Sequence, residues 1–413
     1  MVKSKKYSLY LFFVFLLLIA VYALISRTTS TVQPDVKQAS IYVDPASFPS
    51  MLQMVEVVKS NPEEPKFIFW ERQPKLSRFL RKQYYITTGK TTYRSYSELT
   101  ATERVDYFNQ LQKQIKKFIS NYPNASLKIH LNLLHNDFVL GVLQLFDREQ
   151  RKITVHWYED CFSCFIHTPD TRFVIPREEN PQRLLDFPVP TLNKVSFSLS
   201  LLPVYSSVLH IAHPEKLIKN KYSFRALFPE NVKIEPIDYK QIQENLTDSQ
   251  RKMLLKFARL NPTDLQPFFQ NKPVLLGTLG HSLKSSEEFN KMQFQIIEEV
   301  INDKFGQWGE LGKDYFLLLK EHPWHTNDQS LKKSILKKYP FVHFLPKDFP
   351  LEILFLTGYI PEKVFGYSSS VFFALPSTRV LFYIPRPEDP YVPWLLKFGN
   401  LRAEQIYAGE NES

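Results

Sequence analysis

The chain has 413 residues, 44% hydrophobic and 15% aromatic, with a formal net charge of +10. That length and apolar content allow one large or two medium domains with filled cores, and with only 11 glycines they exclude a disordered or collagen-like chain. The charge suits anionic membranes, anionic substrates or a solvated basic surface, and without a dense Lys/Arg run carrying interleaved aromatics a nucleic-acid partner is not expected.

Tyr7 to Ile25 is an uncharged apolar run, close to the ~20 residues that cross a bilayer as a helix. Lys3, Lys5 and Lys6 precede it, so the positive-inside rule expects a single-pass anchor with a cytoplasmic N-terminus. No A-x-A-like site follows, which favours an anchor over a cleaved signal peptide. Residues 1–26 are read as this anchor and 27–39 as a polar stem.

Strands and helices alternate from there. Ser40 to Asp44 reads as a strand, a helix opens near Phe48, and Phe67 to Trp70 is a second strand. A long helix is expected from about Thr100, with Val105, Phe108, Leu111, Ile115 and Phe118 on one face and a Thr100–Glu103 capping box. Leu127 to Leu133 is a strand, Asp137 to Arg148 an amphipathic helix, and Ile153 to Tyr158 another strand. This order predicts a parallel sheet flanked by helices.

Residues 168–200, rich in Pro and charge, read as a connection, and a second alternating set is expected to begin with Val208 to Ala212. Pro273 to Thr278 is a strand ending in a small-residue turn. A helix from Ser285 carries Phe289, Met292, Ile296 and Val300, with a Ser285–Glu288 capping box. Tyr315 to Lys320 is a buried strand, and Lys363 to Tyr367 leads from a strand into Ser368–Pro376. The expected architecture is two α/β halves with a cleft between them, residues 40–195 and 196–395. Ligands of such sheets bind beyond the carboxyl ends of the strands, where WYED, LLGT, KEHP and GYSSS all fall.

His322 directly follows an apolar strand that ends in Lys320, and Pro323 fixes the chain direction after it. An imidazole there can protonate a departing phosphate. A second His-Pro pair, His213-Pro214, lacks that context. His322 and His325 form an H-x-x-H pair with no carboxylate at suitable spacing, so no metal site is expected. Ser368, Ser369 and Ser370 offer hydroxyls and backbone N–H groups to an anion if a helix starts there, or are ordinary N-caps. Glu159 and Asp160 end a strand, as a general base toward a hydroxyl would, or are loop acids exposed to water. Glu352, set among apolar residues, could accept both hydroxyls of a ribose, or face solvent on a helix. The only cysteines, Cys161 and Cys164, cannot alone complete a zinc site and are a redox pair, a local disulfide or two small residues. Sequons at Asn124, Asn245 and Asn411 decide nothing without a secretory compartment.

Taken together, these residues resemble the bacterial sialyltransferases of glycosyltransferase family 80, from about Ser40 to the C-terminus. IYVDPASFP (Ile41 to Pro49) is similar to the family's opening strand and IHLNLLH (Ile129 to His135) to its second landmark. WYED resembles the Asp-Asp-Gly-type motif, KEHP the Lys-Gly-His-Pro motif, and TGYIPEKVFGYSSS the segment ending in paired serines. Asp389 to Tyr407 resembles the C-terminal helix that returns to the first domain, here expected over about 396–413.

The resemblance implies an α/β fold of GT-B type, two Rossmann-like domains facing a central cleft. It implies inverting, metal-independent transfer of sialic acid from CMP-sialic acid to a galactose-terminated glycan such as lipooligosaccharide, with no cofactor beyond the donor. Asp160 is then the base and His322 the acid. Ser369 and Ser370 hold the phosphate, Glu352 the ribose, and Lys320 lies beside the cytidine, with Pro323, Gly277 and Thr278 on the donor side. His135, Arg72 and His281 line the acceptor side. Cys161 and Glu321 stand where the family has glycines, and Leu279, Gly280 and His281 stand where it usually has an aromatic, which leaves linkage and acceptor open. Transfer of another CMP-activated sugar acid of the Kdo type, or non-catalytic binding of glycan or nucleotide at a membrane, are the alternatives.

Overall fold

The computed structural model describes residues 36–45, 48–73, 75–93, 95–96, 99–133, 135–147, 149–159, 185, 201–212, 230–270, 274–278, 291, 293–294, 297–298, 316–321, 329–346 and 350–366. The chain divides into Met1–Lys37 and Gln38–Ser413, and all the elements below belong to the second unit. The apolar run Tyr7 to Ile25 lies outside the described residues, among which no helix is long and apolar enough to cross a membrane.

The first sheet is built from β1 (Gln38–Asp44), α1 (Phe48–Lys59), β2 (Lys66–Trp70), α2 (Arg78–Gln83), β3 (Ile86–Thr88), α3 (Ala101–Ser120), β4 (Ser126–Asn132), α4 (Asn136–Leu143), β5 (Ile153–Tyr158), β6 (Ser206–Ala212) and β7 (Val232–Ile237). Its strands run in the order β3-β2-β1-β4-β5-β6-β7, and every pairing is parallel. Helical crossovers cover both faces of such a sheet, so its central strands read as near-continuous apolar runs. All of β2 is buried, as is β1 from Ala39 onward. Pro236, which has no N–H for a further ladder, is confined to β7, the edge strand.

The long helix forms as its pattern requires. Thr100 caps α3 and Glu103 completes the capping box, a device whose loss costs about 1 kcal/mol. Tyr107, Phe108, Leu111, Ile115, Phe118 and Ile119 are its buried residues. Val105 is not among them: it is 45% exposed, because Tyr107 and Phe108 turn the apolar stripe away from it. Tyr107, Phe108 and Phe138 of α4 make edge-on contacts with ring centroids 5.1–5.7 Å apart. The α4 helix is shorter than the expected 137–148. It ends at Leu143, and a single 3-10 turn, Gln144–Phe146, follows.

The strand at 206–212 corrects the sequence expectation. It does not open the second half; it pairs with β5 and β7 and extends the first sheet, which reaches Ile237. Two contacts draw it in: Trp157 donates from Nε1 to Ser207 Oγ (3.0 Å), and Ser207 donates to the Leu202 carbonyl (2.6 Å). The short edge strand β3 was not expected either. It pairs with β2 through Ile86, Thr87 and Thr88.

One row of side chains crosses this sheet as stacked polar rings. Tyr42 of β1 lies 4.1 Å from His130 of β4, and His130 lies 4.7 Å from His156 of β5. His156 stands 5.2 Å from His210 of β6, and Tyr158 stacks on His210 at 4.6 Å. The parallel register sets His130 opposite His156 and Tyr158 opposite His210.

The chain then forms α5 (Tyr239–Asn245), α6 (Asp248–Phe257), α7 (Pro262–Phe269), β8 (Val274–Thr278), β9 (Phe316–Lys320), α8 (Gln329–Lys338), β10 (Val342–Leu345), α9 (Glu352–Leu356) and β11 (Lys363–Gly366). The second sheet has the order β10-β9-β8-β11 and is again parallel throughout. Helix α6 packs on α1 and on α9. Its Phe257 ring meets Trp70 at 6.1 Å and Tyr84 at 5.9 Å, and Gln250 donates to the Val58 carbonyl (3.4 Å). Of the helix expected from Ser285, the described residues Lys291, Gln293, Phe294, Ile297 and Glu298 are helical, while Ser285, Phe289, Met292, Ile296 and Val300 fall outside the described residues, as does the 396–413 segment.

Candidate functional site

In an open parallel sheet, the strand order reverses at one place, and the loops on either side leave a crevice beyond the carboxyl ends there. The first sheet reverses between β1 and β4, the second between β8 and β11.

At the first reversal, the last residues of the two strands meet. Asn132 donates from Nδ2 to Asp44 Oδ1 (3.0 Å), and both side chains are buried. His135 follows β4 as the half-buried N-cap residue of α4; its ring stands edge-on to Phe138, 6.4 Å away. Arg72 is half-buried in the turn after β2. Its neighbour Glu71 accepts from the Tyr96 backbone N–H (2.8 Å) and from the Tyr107 hydroxyl (2.8 Å). The Tyr96 hydroxyl in turn donates to Asp137, in the first turn of α4. Burial, reinforced by the Glu71 charge, raises the Tyr107 pKa and keeps that phenol a donor. This network ties the turn that carries Arg72 to the helix that His135 begins.

Glu159, the first residue beyond β5, is 1% exposed, and its backbone N–H donates to the His210 carbonyl (3.2 Å). It is therefore not the water-exposed loop acid that its position alone would allow. Asp160 lies outside the described residues.

At the second reversal, Thr278 ends β8 between Lys320 of β9 and Gly366 of β11, in register with both. Gly277 is buried one residue earlier. Lys320 is buried, with its ammonium donating to the Glu321 carbonyl (3.0 Å). Glu352 opens α9 and is 4% exposed, so it does not face solvent. Pro323, His281, His322, Ser369 and Ser370 lie outside the described residues; His322 follows Lys320 by two positions, and the serines follow Gly366 closely in sequence.

The structure thus brings Gly277, Thr278 and Lys320 to one set of strand ends and Arg72 and His135 to loops at the carboxyl ends of the other sheet. The Asp44–Asn132 pair and the Glu71–Tyr96–Asp137–Tyr107 network were not read from the sequence. Asp44 ends its strand just as Glu159 follows its own, a signal that was available. Its pairing with Asn132 depends on β1 and β4 being neighbours, which the chain order does not announce.

The first reversal carries carboxylates, an amide and an imidazole, and the second a buried lysine at the strand ends. Residues 187–387 match the family model of sialyltransferase PMO188. The resemblance to bacterial sialyltransferases holds, and with it the reading of the chain as a glycosyltransferase enzyme. Among solved structures the chain is similar to the 2,6-sialyltransferase of Photobacterium sp. JT-ISH-224, solved with CMP and lactose, at 19% identity and a TM-score of 0.70, covering 89% of this chain and 78% of that one. It is similar to the GT-B domain of the Photobacterium damselae sialyltransferase at 20% identity and a TM-score of 0.68, covering 89% and 99%. It is also similar to the α/β-galactoside α-2,3-sialyltransferase of Photobacterium phosphoreum at 17% identity and a TM-score of 0.68, covering 90% and 98%. At these identities the structural likeness establishes the GT-B fold. No curated protein matches the chain.

Proposed function

We propose that the protein transfers sialic acid from CMP-sialic acid to a galactose-terminated glycan by a single inverting displacement that needs no metal. The observation that carries this reading is the family-model match over residues 187–387, because that span contains every donor-side residue named from the sequence: Gly277, Thr278, Lys320, His322, Pro323, Glu352, Ser369 and Ser370. The solved relative bound to CMP and lactose supports both halves of the substrate assignment.

In this reading Asp160 takes the proton of the acceptor hydroxyl as its oxygen bonds to the anomeric carbon of the sialyl unit. The bond to the CMP phosphate breaks, and His322 supplies a proton to the departing phosphate. Ser369 and Ser370 hold that phosphate, and Lys320 and Glu352 hold the rest of the nucleotide. CMP carries one phosphate, so an imidazole and two hydroxyls can balance its charge without a divalent ion. Arg72, His135 and His281 line the acceptor side. Lipooligosaccharide is the acceptor class we favour, with Tyr7 to Ile25 anchoring the enzyme at a membrane.

The test is transfer from CMP-sialic acid to lactose, with and without EDTA, by wild type, Asp160→Asn and His322→Ala. Both variants should lose activity by at least about a hundredfold, within the usual range for lost general acid–base catalysis, while their folding is unchanged; EDTA should have no effect. A wild type that binds CMP but never turns over the donor would overturn the reading.

A further inference from the structure

Four large hydrophobic side chains are exposed among the described residues, and two of them lie in one short stretch of chain: Phe79 at 61% and Tyr85 at 59%. Phe79 lies on α2 and Tyr85 in the turn that follows. Their sequence neighbours face inward instead: Leu80 is 2% exposed, and Tyr84 is 6% exposed and packed on Phe257. The outward pose of Tyr85 is built into the backbone, which holds it at φ 50, a left-handed conformation a non-glycine residue rarely adopts.

The sequence around these rings is rich in cations. Residues 72–97 contain seven Lys or Arg and no Asp or Glu, and residues 248–263 contain four against one acid, Asp248, which lies 3.7 Å from Arg251. The fold joins the two stretches into one face. Lys256 of α6 lies over the Phe79 ring (5.4 Å), and Arg259 donates to the Lys75 carbonyl. Lys75, Arg78, Lys82, Lys256 and Arg259 are exposed and have no carboxylate partner among the described residues.

We propose that this face of α2 and α6 docks on the surface of an anionic lipid bilayer. Two protruding aromatic rings set among exposed cations match the chemistry of a headgroup layer: rings enter the boundary between headgroups and acyl chains while Lys and Arg meet lipid phosphates. A soluble polyanion would use the cations but has less need of an exposed Phe. The sequence supplies a second reason to choose lipid. The apolar run ending at Ile25 is followed by only 12 residues before Gln38, and a chain of that length spans at most about 40 Å. A bilayer entered by that run is therefore within reach of the domain. The inference does not depend on which sugar is transferred.

Hydrogen exchange on the full chain in nanodiscs tests it. In discs containing phosphatidylglycerol, amides of Arg78 to Ile86 should exchange at least about tenfold more slowly than in phosphatidylcholine discs, and high salt should remove the difference. The triple variant Arg78→Glu, Lys82→Glu, Lys256→Glu should lose the protection with α3 and β4 exchanging as in wild type, and Phe79→Ala with Tyr85→Ala should weaken it. Equal exchange in the two disc types overturns the proposal. So does protection by a soluble oligonucleotide that matches the lipid effect and is indifferent to Phe79 and Tyr85.

Discussion

His156 Nδ1 lies 2.9 Å from His210 Nε2, so one imidazole donates and the ring that accepts must be neutral. His130 stacks on the other side of His156 and contacts the Tyr158 hydroxyl through Nδ1 (2.9 Å). Burial is the main reason all three stay neutral. It lowers His130 well below its ordinary value, takes His156 down to about 3 and His210 to about 4. Nearby charges modify this: Lys128 and Lys233 push the same way, and Glu235, 3.5 Å from His210, pushes back.

Acid should therefore unfold the protein early. In the unfolded chain these histidines take up protons near pH 6.5, whereas the native state resists until about pH 4 or below. The unfolded state binds more protons across that window, so stability falls as pH drops, by up to about 1.4 kcal/mol per pH unit for each histidine. Glu56, raised by burial, works in the opposite sense but is one group against three. Urea midpoints measured from pH 7 to 4.5 should decline steeply, and His156→Phe should flatten the slope. A pH-independent midpoint would show that the three rings are not held neutral.

Gly141 should not tolerate a side chain. A Cβ there would meet Phe108 Cδ1 at 2.8 Å, against a ring already enclosed by Tyr96 and Phe138. Gly141→Ala gains about 1 kcal/mol of helix propensity, but overpacking of this kind costs about 1–3 kcal/mol. The net change should be destabilising, and Phe108→Leu should relieve it in the double variant. A Gly141→Ala protein with a raised melting temperature would show that α4 can shift away from α3.

Asp44→Ala should cost about 1–3 kcal/mol, because it leaves the buried Asn132 amide without its acceptor at the reversal of the first sheet. Asp44→Asn should preserve the fold better and still lower kcat/KM for the acceptor by about tenfold, with CMP affinity unchanged. Steady-state kinetics with each substrate varied, beside calorimetric CMP titration, separates these outcomes. A change in CMP affinity alone would move Asp44 to the donor side.

Glu352→Gln and Lys320→Met should each weaken CMP binding, by about tenfold or more for loss of a charge-assisted hydrogen bond. Both groups are buried, where water substitutes poorly for a lost contact. Calorimetry on the folded variants checks this, and unchanged CMP affinity would remove the assigned role.

Local pattern was enough for the elements that begin and end on side-chain signals. The strand at Ser40 to Asp44, the helix near Phe48 and the Thr100–Glu103 cap all stand where the residues announced them. The strand ends carrying LLGT and Lys320 were likewise legible, since an apolar run stopping at a small or charged residue marks its own end.

The α/β alternation, the resemblance that proposes a donor, and the residues that stand at strand ends were all legible in the order of residues alone. Which strand ends are neighbours came from the packed fold. It put Val208 to Ala212 into the first sheet, set Thr278 between Lys320 and Gly366, joined Asp44 to Asn132, and gathered two separate basic stretches around Phe79. The reason is physical: a strand's hydrophobic pattern requires a partner on each side but does not name it. Partner choice is settled by crossover handedness and by buried contacts between residues far apart in the chain, such as Trp157 with Ser207.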